Sequence, residues 1–486
     1  MRAPTAALNA SRRQIELAAA AETTADVLVV GGGITGAGAA LDAAARGLSV
    51  VLIEAQDLAF GTSRFSSKLV HGGLRYLATG DIATARESAM ERHLLMTAIA
   101  PHLIHPLPQL LPFAPGIDIR QRGAGAVGMA IGDALRWHAR TPRTVLPAPH
   151  PVSARAARRL VPALAPDRLR GGMVGYDGQL DDDARLVVTV ARTAAALGAK
   201  ILTRVRARTL HARGADAEDL LTGESLNLRA RAVINATGVW AGSLDDGIRV
   251  RPSGGTHIVL DAADLGHPAA ALAIPHPGSI SRYVFALPQA DGLVYVGLTD
   301  EDAPGAVPDI AEPTDAEITF LLDTLNGVLG TSLPRERVLG AFAGLRPLVD
   351  SGDVATADIS RRHLVRESGD GFVSVLGGKL TTYRRMAEDA VDLAVGLGRL
   401  DAAACRTASL RLVPLPERVS QRPLVDGVAA TEQDVVNAVR EEGALSADDV
   451  LERRLRVGLV PSRRAALLSP VTEIVERTLA ELSASG

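Results

Sequence analysis

The run Val27-Leu28-Val29-Val30-Gly31-Gly32-Gly33-Ile34-Thr35-Gly36 constrains the fold more than any other part of this chain. Four apolar residues of β character meet a glycine turn, an alanine-rich helical stretch follows, and Ser49-Val50-Val51-Leu52-Ile53-Glu54 reads as a second strand. Strand, glycine turn, helix and a strand ending in a carboxylate make the βαβ unit that holds a dinucleotide. Gly31 permits the tight turn, Gly33 lets backbone N–H groups approach a pyrophosphate at the positive helix end, and Gly36 lets helix and strand pack closely. Glu54 lies 18 positions beyond Gly36, where a carboxylate accepts ribose hydroxyls. The fingerprint leaves NAD and FAD both open.

With 486 residues, 47% of them apolar, the chain carries material for about three domains, or two elaborated ones. A net charge of −3 argues against a dedicated nucleic-acid binder, which needs a basic stripe to neutralise phosphates. No apolar run approaches the ~18–20 residues needed to span a bilayer. The single cysteine, Cys405, cannot form an internal disulfide, and the histidines lack ligand spacing, so no metal site is expected. Ser11-Arg12-Arg13 is similar to a twin-arginine export signal, but Glu16 and Glu22 break the apolar region that signal requires, which leaves a short helical leader over 1–24.

Further along, the loop FGTSRFSSKLVHGGLRYL offers Thr62, Ser63, Ser66 and Ser67 as hydroxyl donors and Lys68 as a cation for phosphates. Gly72 and Gly73 in the same loop permit close backbone approach beside His71. Asp81 to Ala100 reads as an amphipathic helix, and the next forty residues are Pro- and Arg-rich with little periodicity. Asp181-Asp182-Asp183 opens a helix closed by Gly198, KILTRV is a strand, and a second strand ends in the small-residue turn Ala236-Thr237-Gly238. Residues 256–260, 282–287 and 293–298 are short β runs, the last two joined as a hairpin at Asp291-Gly292. FVSVL then enters Gly377-Gly378-Lys379 and another helix. From about residue 396 the texture turns helical and charged, with starts at Thr431-x-x-Asp434, Ser446-x-x-Asp449 and Ser469-Pro470.

The expected architecture is α/β: a discontinuous Rossmann-like domain over 25–90, 170–248 and 340–395, an inserted antiparallel-sheet substrate domain over 91–169 and 249–339, and a C-terminal helical domain over 396–486. The blocks VVGGGITGAGAALDAAARGLSVVLIEAQDLAFGTS, SSKLVHGGLRYL, DDARL, INATGVWA, GTHIVL, GLRPL and LGGKLTTYR, in that order, resemble the flavin-dependent glycerol-3-phosphate dehydrogenases. The tail segment SADDVLERRLRVGL resembles that family's C-terminal helical domain. The resemblance implies a fold like the D-amino-acid oxidase superfamily, non-covalent FAD, and oxidation of sn-glycerol 3-phosphate to dihydroxyacetone phosphate. It further implies that electrons pass to membrane quinone, with the enzyme on the cytoplasmic face of the membrane, and a homodimer is expected. Leu298 in GLTD departs from the family's frequent threonine.

On this resemblance the cofactor set is Gly31, Gly33, Gly36, Glu54, Thr62, Ser63, Ser67, Lys68, His71, Gly72, Gly73, Val205, Ala236, Thr237, Gly238, Gly378, Lys379, Leu380 and Thr381. Oxidising a secondary alcohol needs a base near the hydroxyl; His257 is the first candidate and His71 the second. Arg346 in GLRPL matches an arginine that the family places at the substrate, where its charge favours a developing alkoxide. Arg75, Tyr76 and Arg361 form the expected phosphate clamp, with Thr299 as a further substrate contact. Lys379 precedes a helix that can face the flavin pyrimidine edge, and serves flavin, substrate or both. Between Leu107 and Arg143, the apolar stretch Ala124 to Ile131 alternates with Arg120, Arg122, Arg136, Arg140 and Arg143, a mixture suited to an anionic membrane surface. An oxygen-using oxidase, an amino-acid oxidase on the same scaffold, and a flavin or NAD sensor are the other readings. The arginines and Lys379 favour a dianionic substrate over a zwitterion.

Overall fold

The computed structural model describes residues 5–73, 81–167, 169–303, 305–349, 363–416 and 422–485. Among them an eight-stranded sheet forms around the strand Thr24–Val30, which pairs in parallel with Val50–Glu54 and with Glu224–Asn235. Lys200–Thr203 and Val373–Gly377 extend the parallel set, and antiparallel His363–Glu367 closes one edge. Val27, Val29, Leu52 and Ile234 are fully buried, as a sheet covered on both faces requires. This strand order sets three carboxyl ends side by side and so gathers Gly31, Glu54 and Ala236 at one edge. The helix Ile34–Ala45 follows the glycine turn with every residue but Thr35 buried. Its glycine and alanine composition lets the helices Asp183–Ala196 and Tyr383–Gly398 pack directly on it.

A second sheet has ten described strands. Its long strand Val250–Asp261 pairs antiparallel with Leu293–Gly297 and with Gly340–Val349. The hairpin expected at Asp291-Gly292 is present, joining Tyr283–Pro288 to Leu293–Gly297. Strands Gly172–Leu180 and Gly340–Val349, grouped by sequence order with the first sheet, hydrogen-bond in the second instead. Neighbourhood along the chain carries no information about which distant strand supplies the partner.

The forty residues without periodicity contain two elements. Strand Ile104–Pro112 pairs antiparallel with Gly172–Leu180. Its prolines at 106, 108 and 112 stand two or four residues apart, so their missing N–H groups fall on one side, where among the described residues the only pairing, with Ala271–Pro275, is confined to Gln109 and Leu110. Helix Ile119–His138 is started by a capping box between Asp118 and Gln121. Four glycines along it weaken the helical signal, and tertiary packing overrides them.

The leader is a helix, Ala10–Glu22, capped by Asn9. It lies against the edge strand Lys200–Thr203, and Arg13 reaches in to donate to the Thr203 carbonyl (2.7 Å) and to Asp219 (2.5 Å). In the C-terminal part, the capped starts at Thr431 and Ser446 are found. Ser469-Pro470 is not a start. Helix Pro461–Ser485 begins eight residues earlier, with a proline at its first position, and runs through Pro470 because buried Leu467, Val471, Ile474 and Val475 hold both sides in one packed stripe. This helical part grips the first sheet through Asp57, whose carboxylate accepts from Arg453 Nε (2.6 Å), Arg454 Nη1 (2.8 Å) and Arg454 Nη2 (2.9 Å). Burial pushes the Asp57 pKa up, but the two guanidinium groups outweigh it and hold the carboxyl below its usual range.

Candidate active site

A cavity of about 1150 Å³ lies between the carboxyl edge of the first sheet and one face of the second. From the first sheet and its turns, Gly31, Gly33, Glu54, Val205, Ala236, Thr237, Gly238, Gly378, Lys379, Leu380 and Thr381 line it. Thr62, Ser63, Ser67 and His71 line it from the connecting loop, and Thr299 and Arg346 from the second sheet. Gly36, Lys68, Gly72, Gly73 and His257 do not reach its wall. Arg75, Tyr76 and Arg361 lie outside the described residues.

At the glycine turn, Gly31 has φ +111°, and a Cβ on Gly36 would stand 1.9 Å from the Gly31 carbonyl oxygen. The turn and the helix therefore meet at backbone contact. Gly33 caps helix Ile34–Ala45 without a side chain, leaving first-turn N–H groups for a ligand, while Ser63 Oγ accepts from Ile34 N at 3.0 Å. Glu54 accepts from Gly32 N (2.6 Å) and Gln56 N (2.7 Å), which leaves lone pairs over for a diol. Burial pushes its carboxyl pKa up against the pull of those two bonds.

Facing this cradle, Arg346 is held rigidly. Its Nη1 donates to Ser253 Oγ (3.0 Å), the Gly254 carbonyl (3.1 Å) and Asp300 Oδ1 (3.0 Å), and its Nη2 donates to the Thr299 carbonyl (3.0 Å). His257 is completely buried, its ring stacked on Phe342 with centroids 4.8 Å apart and fitted against Gly297, where a Cβ would be 2.3 Å from the imidazole. Its Nε2 is hydrogen-bonded to Ser67 Oγ at 2.9 Å. Burial first, then the Lys68 and Arg346 charges, push its pKa down to about 3, so the imidazole is neutral. His257 thus communicates with the cavity through a hydroxyl, an arrangement its position in THIVL gave no sign of.

Two expected contacts have other partners. Lys68, in the left-handed region at φ +57°, is buried with Nζ 2.8 Å from Asp183 Oδ1, and it donates to the Arg64 carbonyl. An ammonium removed from water needs a counter-charge, and the DDDARL run supplies it; the loop's cation is therefore a brace under the cavity, not a phosphate ligand. The Thr299 hydroxyl donates to Glu317 Oε1 (2.7 Å) and accepts from Thr256 N (2.9 Å), so its hydrogen points away from a substrate.

Sequence reasoning passed over Arg92 and Asp177, an ion pair in the cavity wall. The signal was there: Glu91 and Arg92 fall on the same helical face as Thr84, Ala85, Ser88 and Ala89, the buried face of helix Ile82–Leu94.

The FAD dependent oxidoreductase (DAO) family matches residues 26–384. Glycerol-3-phosphate dehydrogenase 1 of Mycobacterium bovis is 49% identical over 510 residues, covering 97% of this chain and 99% of the relative. The chain belongs to the FAD-dependent glycerol-3-phosphate dehydrogenases. Two solved structures share its fold. The glycerol-3-phosphate dehydrogenase of Bacillus halodurans complexed with FAD superposes with TM-score 0.71 at 24% identity, covering 98% of this chain and 97% of that one. The L-alpha-glycerophosphate oxidase of Mycoplasma pneumoniae with FAD bound gives 0.60 at 18% identity, covering 80% and 99%. The residues present fit an FAD: a helix start free of side chains, a half-buried carboxylate at the end of the neighbouring strand, and one cavity that runs on to Lys379.

Proposed function

We propose that this dehydrogenase oxidises sn-glycerol 3-phosphate to dihydroxyacetone phosphate and passes the electrons to a membrane quinone. The observation that carries the reading is the convergence on one cavity of a dinucleotide cradle and, opposite it, Arg346 with the Ser67–His257 pair. Residues Gly31, Gly33 and Ser63 would hold the pyrophosphate, Glu54 the ribose, Val205 and Ala236–Gly238 the backbone edge, and Gly378–Thr381 the flavin end. Bound FAD supplies the hydride acceptor. Ser67 Oγ takes the hydroxyl proton of the substrate while passing its own to the neutral His257 Nε2, and Arg346 steadies the oxygen as it gains negative character. Arg75, Tyr76 and Arg361 are proposed to clamp the phosphate. The test is anaerobic. A purified yellow protein, releasing its FAD on acid precipitation, should bleach with glycerol 3-phosphate and not with proline, glycine or sarcosine. Colourless protein that binds NAD, or bleaching by an amino acid, would overturn the reading.

Quinone transfer calls for contact with the bilayer, and among the described residues no helix is long and apolar enough to cross it. Helix Ile119–His138 suits the alternative of lying in the interface. Ile119 (79% exposed) and Trp137 (75% exposed) lie on its outer face, exposed Val127 and Ile131 stand at the rim of the cavity, and Gly125, Gly128, Met129 and Gly132 on the other side line it too. Arg120, Arg140 and Arg143 are exposed beside that face. Arg136 is not available to lipid, being buried on Asp133 and the Thr141 carbonyl. Trp137→Ser combined with Ile119→Ser should weaken co-sedimentation with anionic vesicles by about tenfold or more, since ~1.4 kcal/mol of lost apolar contact already gives that factor. Unaltered binding would remove this helix from the proposal.

A further inference from the structure

Behind the Ser67–His257 pair stands a piece of the C-terminal helical part. Arg456 precedes the short helical turn Val457–Leu459 in left-handed backbone, φ +60°, and is buried. Its guanidinium is bonded to three acceptors. Nη1 donates to the Glu452 carbonyl (2.8 Å), Nε to Asp182 Oδ2 (3.0 Å), and Nη2 to the carbonyl of Arg64 (2.5 Å), 392 positions away in the chain. That carbonyl opens the segment that carries Ser67. It also accepts from Lys68 Nζ (3.2 Å), so one oxygen joins Arg456 to the far end of the same segment. Asp183, beside Asp182, completes the frame: its carboxylate takes Lys68 Nζ (2.8 Å) and Ser66 N (2.8 Å). Lys68 holds its left-handed conformation, φ +57°, inside this set of bonds.

The same C-terminal segment supports the histidine. Leu459 and Val460 share a buried apolar cluster with Tyr295 and with Phe342, whose ring is stacked on His257. Phe65 packs against that cluster, and the Arg456 guanidinium lies 5.9 Å from the centre of its ring. Ser66, Ser67 and Lys68 belong to no helix or strand long enough to hold them, so the direction of the Ser67 hydroxyl is set by what anchors the residues on either side of it. We infer that Arg456 is a positioning residue for the reaction. It holds Ser67 against His257 through the Arg64 carbonyl and the Asp182–Asp183 carboxylates, so the site is complete only with the C-terminal helical part docked; this rests on the relay reading of Ser67 and His257 in the same cavity.

The experiment reads the FAD-replete holoenzyme in two ways. In hydrogen exchange of the oxidised protein, the amides of residues 64–68 should exchange about 10-fold or more faster in Arg456→Leu than in the parent, while helix Ile34–Ala45 keeps its protection. In anaerobic stopped flow at saturating glycerol 3-phosphate, Arg456→Leu should reduce its flavin about 10- to 100-fold more slowly, with the substrate Kd within about twofold of the parent. Arg456→Lys keeps the charge beside Asp182 but cannot span three acceptors, and should fall between the two. In a Ser67→Ala background the same substitutions should slow reduction by less than about twofold, because a residue that acts through Ser67 has nothing left to position. General loosening would be felt in both backgrounds alike. If Arg456→Leu does not retain FAD, Arg456→Lys carries both readouts. Equal slowing in the two backgrounds, a parental rate, or unchanged exchange of 64–68 overturns the inference. So does loss of FAD in both Arg456 variants, which would make Arg456 a clamp between parts of the fold. A parent not bleached by glycerol 3-phosphate would refute the substrate instead, and the exchange of 64–68 then decides for or against Arg456.

Discussion

Anaerobic flavin reduction by glycerol 3-phosphate is expected to be about 10²–10⁴-fold slower in His257→Ala than in the parent, the range for loss of a positioned acid–base group. Ser67→Ala should fall into the same range, because only Ser67 of the hydrogen-bonded pair lines the cavity. The double variant should be little worse than either single one, since two residues that act as one relay are not additive. Stopped-flow reduction of FAD-replete protein isolates this step from quinone turnover. The pH profile carries a second signature. With the His257 pKa pushed down to about 3, the imidazole is already deprotonated where a free histidine would still be charged. No acid limb near the ordinary value of about 6.5 should therefore arise from this group. The stability sign follows as well: between about pH 6.5 and 3 the unfolded chain binds a proton that the folded chain refuses, so His257 costs stability as the pH falls through that window. If His257→Ala reduces its flavin at the parental rate with an unchanged profile, His257 is structural and His71 becomes the base to test. His71 lines the cavity and its Nδ1 accepts from Gly73 N.

Gly36→Ala is expected to yield protein with less than about a tenth of the parental FAD content. The added Cβ would stand 1.9 Å from the Gly31 carbonyl oxygen, a backbone atom that cannot rotate away. Either the helix Ile34–Ala45 moves off its sheet or the turn at Gly31 changes shape, and each displaces the N–H groups that face the pyrophosphate. Overpacking of this kind typically costs ~1–3 kcal/mol in stability as well. Gly396→Ala is the matched control: it lies in helix Tyr383–Gly398 with nothing within 4 Å of its added Cβ, so alanine there should be neutral or stabilising by up to ~1 kcal/mol. Bound flavin after gel filtration and thermal unfolding read the two effects separately. Full FAD occupancy in Gly36→Ala would show that the turn tolerates a wider helix–strand contact than its backbone distances imply.

Much of this molecule was legible where chemistry and local structure coincide in a short stretch. The βαβ unit, the Asp-Gly hairpin, the capped starts at Asp182, Thr431 and Ser446, and the ordered motif blocks each depend on residues close in sequence. The misses have one physical origin. Lys68 looked like a phosphate ligand because Asp183, its counter-charge, stands 115 positions away. Ser469-Pro470 looked like a helix start because the apolar stripe that carries the helix through Pro470 is stabilised by its partners, not by its own propensity. Helix Ile119–His138 was hidden by glycines whose small size the cavity wall uses.

By itself, then, the sequence determined a dinucleotide cofactor, because a glycine turn, a strand-end carboxylate and a βαβ unit act within about thirty residues of one another, and its ordered motif blocks carried the family and FAD. Only the tertiary structure decided how those groups are wired. That His257 reaches the cavity through Ser67, that Lys68 braces instead of binds, and that Thr299 is spent on Glu317 are all settled by which distant carboxylate or hydroxyl lies within about 3 Å of a buried polar atom. A buried charge or donor must find a partner, and the chain meets that demand across sheets and helices far apart in sequence.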